Sequence, residues 1–472
     1  MNASFKHVRN RLLIGGVVMA AIYLVYLFFF PLYPQIDRSK SVLDIEMLLK
    51  NGRQWFAPIY LLGLGALFFA YWRMLRIVHA FSSEQPDAAK SLRPWILGIG
   101  IACAMPLLWL YPITALDVVL YVVRARLWAL YGGSPMLALP ASFLQDPYIH
   151  LAGEYLKQPS PYGPLWELVA QVPVRLGITG IGSGVIAMKL IALLSYAGMS
   201  LLVGWTAGQQ EPRLGISRLT ALTFFALNPL VLLEALGNGH NDMLLLLFMT
   251  LGLVLWQGDK WIWAAFTLTC ASLIKVTGLL LLPLFGIAVL VKAPDWKTRF
   301  ARGLVILAIF IGTGLAAYRL TGPIPEVFKG AEYASVERLG FSPSYAIRIL
   351  VNQFSRDLQI IRMPTEIGNI LFVVYYIYLM TRLALRRMTL LEAGFLAYFA
   401  VIFLGSTFRI WYPLWLVPFA VLNLNSGTYW RTFLFSATAE ISILMYYILW
   451  RWILHHWSWG ETGRSRSIGN TG

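Results

Sequence analysis

Four short segments of this chain place residues able to do acid–base and anion chemistry inside apolar surroundings. The first opens on Asp117, directly after an apolar run, with Tyr121 and Arg124 following at helical spacings. Residues 117–131 read as one short helix, so these three side chains share a face. A carboxylate there can take a proton from a hydroxyl. It also suits a helix N-cap, where Asp is favoured, and the residues alone leave both readings open. The second segment is Gly237-Asn238-Gly239-His240-Asn241-Asp242, preceded by Asn228-Pro229-Leu230 and Glu234. Asn-Gly and Asp form turns; equally, His240 and Asp242 would face a reaction chamber and bind sugar hydroxyls. No other His is placed to complete a zinc site with them, so no metal site is read. The third is Lys275, between two apolar runs. A lysine near a helix end can snorkel, but an ionisable residue inside a membrane segment is a functional candidate by default. A lipid phosphate is its natural partner. The fourth is Phe408-Arg409-Ile410-Trp411-Tyr412-Pro413-Leu414-Trp415. Its aromatics fit an interfacial belt; Arg409 fits one less well, and guanidinium suits bidentate phosphate recognition.

The elements that must position these residues are membrane helices. Of 472 residues, 58% are hydrophobic and 13% charged, against about 45–50% apolar and about 25% charged in soluble proteins. That excludes an ordinary soluble enzyme and a disordered scaffold. The net charge of +16 sits mostly in short loops between apolar runs, and no nucleic-acid-binding signature accompanies it. Cys103 and Cys270 both lie in apolar segments, which argues against a disulfide framework. Apolar runs fall at about 12–33, 57–77, 95–113, 184–206, 218–235, 241–257, 261–275, 276–291, 302–319, 366–384, 390–405, 411–424 and 432–454. The expected fold is therefore all-α: a single polytopic integral membrane bundle over residues 1–472, with about 13 spans. Residues 163–178 and 343–361 are shorter and carry charges, and read as interfacial or re-entrant helices. Lys6, Arg9 and Arg11, then Arg73, Arg76, Lys90 and Arg93, then Arg213 and Arg218, then Lys292, Lys297, Arg299 and Arg302, then Arg382, Arg386 and Arg387 all fall on one side if 163–178 does not cross. That side is expected to be the cytoplasm; Arg464 and Arg466 fit this layout less well. Two long loops, 114–183 and 321–365, then lie outside. The second holds Glu326, Lys329, Glu332, Tyr333, Glu337, Arg338, Tyr345 and Arg348, mostly read as solvated loop charges.

In order and spacing these segments resemble the GT-C class of membrane glycosyltransferases. Within it they are most similar to the polyprenyl-phosphate-mannose-dependent mannosyltransferases, including bacterial alpha-1,6-mannosyltransferases and the catalytic subunit family of GPI mannosyltransferase I. The resemblance runs through Asp117 and Tyr121, Gly-Ser-Pro at 133–135, Ser-Pro-Tyr-Gly-Pro-Leu at 160–165 and Asn-Pro-Leu at 228–230. It continues through 237–242, Ile274-Lys275 and Trp411-Tyr412, and covers about 114–420. Each motif is short; their order carries the likeness. It implies an inverting transfer of a hexose, mannose by family weight, from a polyprenyl-phosphate sugar to a glycolipid or glycan acceptor. Asp117 would be the general base, Lys275 and Arg409 would neutralise the leaving phosphate, and Arg124 would be a further cation. Asn238, His240 and Asp242 would orient sugar or acceptor, and Tyr121, Tyr162, Trp411 and Tyr412 would complete the binding site. Many members of the class carry two acidic residues at the start of the first outer loop. Here Leu116 and Val118 flank Asp117, so no cofactor is expected and dependence on a divalent metal stays open. The expected setting is a bacterial plasma membrane with the site on its extracytoplasmic face. A transporter or flippase for a lipid-linked or polar substrate is the alternative; it would share the spans and Lys275, but no internal repeat supports it.

Overall fold

The computed structural model describes residues 3–38, 56–206, 216–323, 342–355, 357–405 and 407–444. These form an all-helical bundle. In chain order its main helices are α1 (Ala3–Phe29), α2 (Phe56–Glu84), α3 (Arg93–Leu107), α4 (Asp117–Tyr131), α5 (Pro164–Ala170), α6 (Ile181–Thr206) and α7 (Arg218–Ala226). There follow α8 (Asp242–Gln257), α9 (Trp261–Ile274), α10 (Leu281–Val291), α11 (Trp296–Thr321), α12 (Pro343–Phe354), α13 (Leu358–Ala384), α14 (Leu390–Leu404), α15 (Val417–Asn423) and α16 (Ser426–Leu444).

Among the described residues, α1, α2, α6, α11 and α13 are long and apolar enough to cross a bilayer. A sixth span results if α7 and the π-helical segment Val231–Gly237, bent by 47°, are taken together. The bend sits at Asn228-Pro229, where Pro229 has no amide to donate and the Asn228 side chain accepts from Leu230 N instead. The count of about 13 read from hydropathy is not reached. Several expected spans are helices of only 10–17 residues, such as α8, α9 and α14. At about 1.5 Å per residue, 16 residues reach about 24 Å, short of a hydrocarbon core of about 30 Å. The run 261–291 is broken where Lys275 adopts an extended conformation (φ −150°, ψ 137°) between α9 and a 3-10 turn, Val276–Leu280.

The helix expected over 117–131 is α4, with the same bounds. Residues 163–178 form two short helices, α5 and Val172–Arg175, and α12 lies within 343–361. The loop between α3 and α4 is fixed to the end of α1: Leu32 N donates to Trp109 O at 2.7 Å and Tyr111 N to Phe30 O at 2.8 Å. That pairing sets the height at which α4 begins. Residues 324–341, with Glu326, Lys329, Glu332, Tyr333, Glu337 and Arg338, lie outside the described residues, as do Arg213, Arg464, Arg466 and the Tyr345 side chain.

Candidate active site

Asp117 is the first residue of α4, not its cap. Leu116 occupies the capping position and makes no side-chain capping bond. The Asp117 carboxylate is 17% exposed and instead faces His240, with Oδ2 3.5 Å from Nδ1. The capping reading therefore gives way to a carboxylate available at a cavity edge.

The 237–242 segment turns inward. Gly239 takes φ +71°, a left-handed conformation that glycine adopts without steric penalty. The turn reading thus holds for Gly239, but Asp242 does not cap it. Asp242 is buried and accepts from Lys275 Nζ at 3.0 and 2.8 Å and from Trp415 Nε1 at 2.6 Å. Lys275 accordingly does not snorkel. Its ammonium turns inward, lies 5.6 Å from the centre of the Trp415 ring and keeps 15% of its side chain exposed. His240 is fully buried and stacks on Trp411 with ring centres 4.0 Å apart. Tyr412 stacks on Trp415 at 4.1 Å. These aromatics pack against ionisable groups, which a purely interfacial belt would not require.

Together these elements enclose a cavity of about 340 Å³. Asp117 lines it from the start of α4, Tyr162 from the Pro-bounded loop, Lys275 from the end of α9, and Arg409, Trp411 and Tyr412 from the segment after α14. Among the described residues no partner holds the Arg409 guanidinium. Tyr121, Arg124, Asn238, His240 and Asp242 do not line the cavity; they form a buried layer behind it. Tyr121 meets Tyr162 edge-on at 5.0 Å and Trp166 at 4.8 Å, and burial pushes its phenol well above the ordinary range. Arg124 donates to Pro159 O at 3.4 Å. Its positive charge and a short hydrogen bond from Ser160 hold the Glu167 carboxyl down, while burial, the larger effect, pushes it up. Arg348 is absent from the cavity lining.

The loop between α4 and α5 is held by its own polar framework. Arg126 and Asp146 form a buried ion pair at 2.8 Å, and Arg126 also bonds to the Thr179 carbonyl. The Arg126 guanidinium lies 4.7 Å from the Tyr148 ring centre. Ser160 N donates to Pro135 O at 2.7 Å, joining the two Pro-bounded motifs. Gly163 N then donates to Ile274 O at 3.0 Å, which docks Tyr162 beside Lys275.

Some cavity residues escaped the sequence reading: Tyr155, Thr277 and Thr407 line the cavity, beside Thr114 and the Trp415 read as part of an aromatic belt. Glu234 is buried and accepts from Thr114 Oγ1 at 2.7 Å and Asn238 Nδ2 at 3.0 Å. Lys189, fully buried in α6, donates to Leu107 O at 3.0 Å and to Leu110 O, so it fastens the end of α3 beneath the 237–242 turn. Glu234 is singled out in the sequence with the second segment; Lys189 is not, although it too is an ionisable residue inside an apolar run. Among the described residues no group of three or more His, Cys, Asp and Glu side chains is placed to hold a metal ion.

Residues 13–291 match the model of the MptA/B family, described as the N-terminal domain of alpha-(1->6)-mannopyranosyltransferase. The chain is 26% identical over 305 residues to alpha-(1->6)-mannopyranosyltransferase B of Corynebacterium glutamicum, covering 59% of this chain and 48% of that protein. It is 22% identical over 244 residues to alpha-(1->6)-mannopyranosyltransferase A of the same organism, covering 50% and 48%. Over 125 residues it is 34% identical to alpha-(1->6)-mannopyranosyltransferase A of Mycobacterium tuberculosis, covering 26% and 23%. The matches therefore span about half, or less, of these relatives' length. No solved structure matches the chain. With the family model covering more than half of its residues, the chain belongs to the alpha-(1->6)-mannopyranosyltransferase MptA/B family.

Proposed function

We propose that the protein is an inverting mannosyltransferase that moves mannose from a polyprenyl-phosphate donor to a glycolipid or glycan acceptor on the extracytoplasmic face of a bacterial plasma membrane. The observation that carries this reading is one cavity with a carboxylate, Asp117, and two cations, Lys275 and Arg409, in its walls. Asp117 takes the proton as the acceptor hydroxyl oxygen bonds to the anomeric carbon. The bond from that carbon to the phosphate oxygen breaks, and polyprenyl phosphate leaves with an added negative charge. Lys275 and Arg409 stabilise that charge as it develops. Tyr162, Trp411 and Tyr412 offer ring faces and edges for the sugar.

Two features support the substrate class. A cavity of about 340 Å³ is near the lower end of the roughly 300–1,000 Å³ usual for small-ligand sites. That size favours a single sugar phosphate over a lipid-linked oligosaccharide. An apolar groove of about 500 Å³, lined by Leu279, Leu282, Pro283, Gly286 and Ile306 among others, begins two residues beyond Thr277 of the cavity wall. It suits a polyprenyl chain whose phosphate sits at Lys275. The test is Asp117→Asn in purified protein, assayed with radiolabelled polyprenyl-phosphate mannose and an octyl α-mannoside acceptor. Transfer is expected to fall by about 10³-fold or more with the melting temperature unchanged. Transfer near the wild-type rate by this variant would overturn the mechanism, and a transporter would show no transfer with either protein.

A further inference from the structure

The chemistry above leaves two buried groups behind Asp117 without a task. His240 presents Nδ1 to Asp117 Oδ2 at 3.5 Å and Nε2 to Glu234 Oε2 at 3.5 Å. Neither contact is a hydrogen bond here: both ring nitrogens and Glu234 Oε2 are buried without a hydrogen-bond partner among the described residues, and catalytic contacts often tighten only once substrate is bound. A packed histidine commonly satisfies a ring nitrogen with a backbone carbonyl; this one meets a carboxylate on each side. Glu234 is itself fixed. Its Oε1 accepts from Thr114 and Asn238, which also bond to one another, so Oε2 is the oxygen turned toward the ring. Trp411 covers the imidazole face and comes from the cavity wall. The Gly239 turn that carries the ring is itself closely packed: a Cβ there would stand 2.8 Å from Val118 Cγ2 and 3.2 Å from Lys189 Cγ.

We infer that His240 and Glu234 form a proton store behind Asp117. The inference rests on Asp117 being the base. The acceptor O–H bond breaks and an O–H bond forms on Asp117. That proton then passes to the lone pair on Nδ1 of a neutral His240, breaking the Asp117 O–H bond and forming N–H. The ring becomes an imidazolium, its Nε2–H donates to Glu234, and the Glu234 carboxylate balances the new charge. Asp117 is ionised again, so it holds no proton to return to the sugar oxygen. After product leaves, the proton passes back through Asp117 to water in the cavity. His240 and Glu234 are thus positioning residues that act through Asp117. The titratable groups around the pair are Asp117 from α4 and Asp242 at the start of α8 with its Lys275; Lys189 from α6 packs its stem against the Gly239 turn while its Nζ donates to the Leu107 and Leu110 carbonyls. Glu440 of α16, also buried, lies within electrostatic range of Glu234.

The experiment measures kcat and the donor KM against pH for the full chain in detergent, with radiolabelled polyprenyl-phosphate mannose and octyl α-mannoside. Wild-type kcat is expected to fall as pH drops, because a His240 already protonated cannot accept. His240→Gln is expected to lower kcat about 100-fold and leave the donor KM within about twofold. Its kcat–pH profile is expected to lose the wild-type acid limb. Glu234→Gln removes the charge that stabilises the imidazolium, so its acid limb moves to lower pH, with a smaller loss of kcat. If His240→Gln does not yield folded protein, the Glu234→Gln limb decides. A pH profile of kcat superimposable on wild type in the folded variants, a loss confined to KM, or a wild-type kcat without an acid limb overturns the inference. An inactive Asp117→Asn beside any of these leaves the proposed mechanism standing; an active Asp117→Asn removes both.

Discussion

Adding one methyl group at Gly163 tests whether the outer loop and the end of α9 must stay in contact for the site to work. Gly163 lies at φ −76°, ψ 160°, a conformation alanine adopts freely, so any effect is steric. A Cβ at that position would lie 2.0 Å from the Leu273 carbonyl oxygen and 2.4 Å from its carbon. Ordinary contact begins near 3.4 Å, so the two backbones must part by about 1.4 Å. The obstacle is backbone, which cannot rotate aside. The residues on either side of this contact, Tyr162 and Lys275, both line the cavity, so the separation displaces one wall against the other. A misplacement of about 1 Å can cost about 10²-fold in rate. Gly163→Ala is therefore expected to lower kcat/KM for mannosyl transfer about 100-fold, roughly 2.7 kcal/mol. Overpacking of this kind costs about 1–3 kcal/mol of stability as well, so a melting curve in detergent accompanies the assay. Gly312→Ala, where nothing lies within 4 Å of the added Cβ, serves as the control and should leave both unchanged. A Gly163→Ala enzyme with kcat/KM indistinguishable from that control would refute the claim that this contact sets the site.

Two further substitutions probe the buried charges. Asp242→Asn removes the carboxylate that holds Lys275 at 3.0 and 2.8 Å; hydrogen bonds to charged groups are worth about 1.5–3 kcal/mol, so donor kcat/KM should fall about 10- to 100-fold, and an unchanged value would show that Lys275 needs no tether. Asp146→Ala leaves Arg126 buried without its carboxylate and frees Tyr148 N, which Asp146 Oδ1 accepts at 2.9 Å. Breaking a buried pair costs about 3–5 kcal/mol, so the melting temperature in detergent should drop clearly, and an unshifted melt would contradict a structural role for the pair.

Much of the site was legible because its residues are polar types at the ends of apolar runs. Asp117, Lys275 and Arg409 were marked by such contrast, Trp411 and Tyr412 by their place at the start of an apolar run and Tyr162 by the resemblance alone; all of them line one cavity. What the sequence did not reveal was depth. Asn238, His240 and Asp242 read as cavity-facing, yet the bend at Pro229 and the left-handed Gly239 rotate them behind the wall. Helical periodicity cannot foresee that, because the segment between α7 and α8 is not a regular helix. Partner choice was equally hidden: Asp242 pairs with Lys275, 33 positions away, and with Trp415, 173 away. Hydropathy located the apolar stretches, but it does not register the breaks at Pro229 and Lys275 that leave the helices around the cavity, among the described residues, shorter than a full span.

Those breaks and the paired charges have a common logic. An extended residue at 275 lets a lysine leave the helix axis and turn toward Asp242, which a continuous helix over 261–291 would forbid. In the proposed reaction this matters for which state is stabilised. A lysine already bonded to a carboxylate offers an arriving phosphate less than its full charge, so the donor is not held too tightly before reaction. As the sugar–phosphate bond breaks, negative charge grows on the phosphate and draws more of the ammonium's field, while Asp242 keeps the group in place. Interactions that strengthen only as charge develops are those that raise kcat. Arg409, also in the cavity wall and with no partner among the described residues, adds an uncommitted charge beside Lys275 for holding the donor phosphate before any bond breaks.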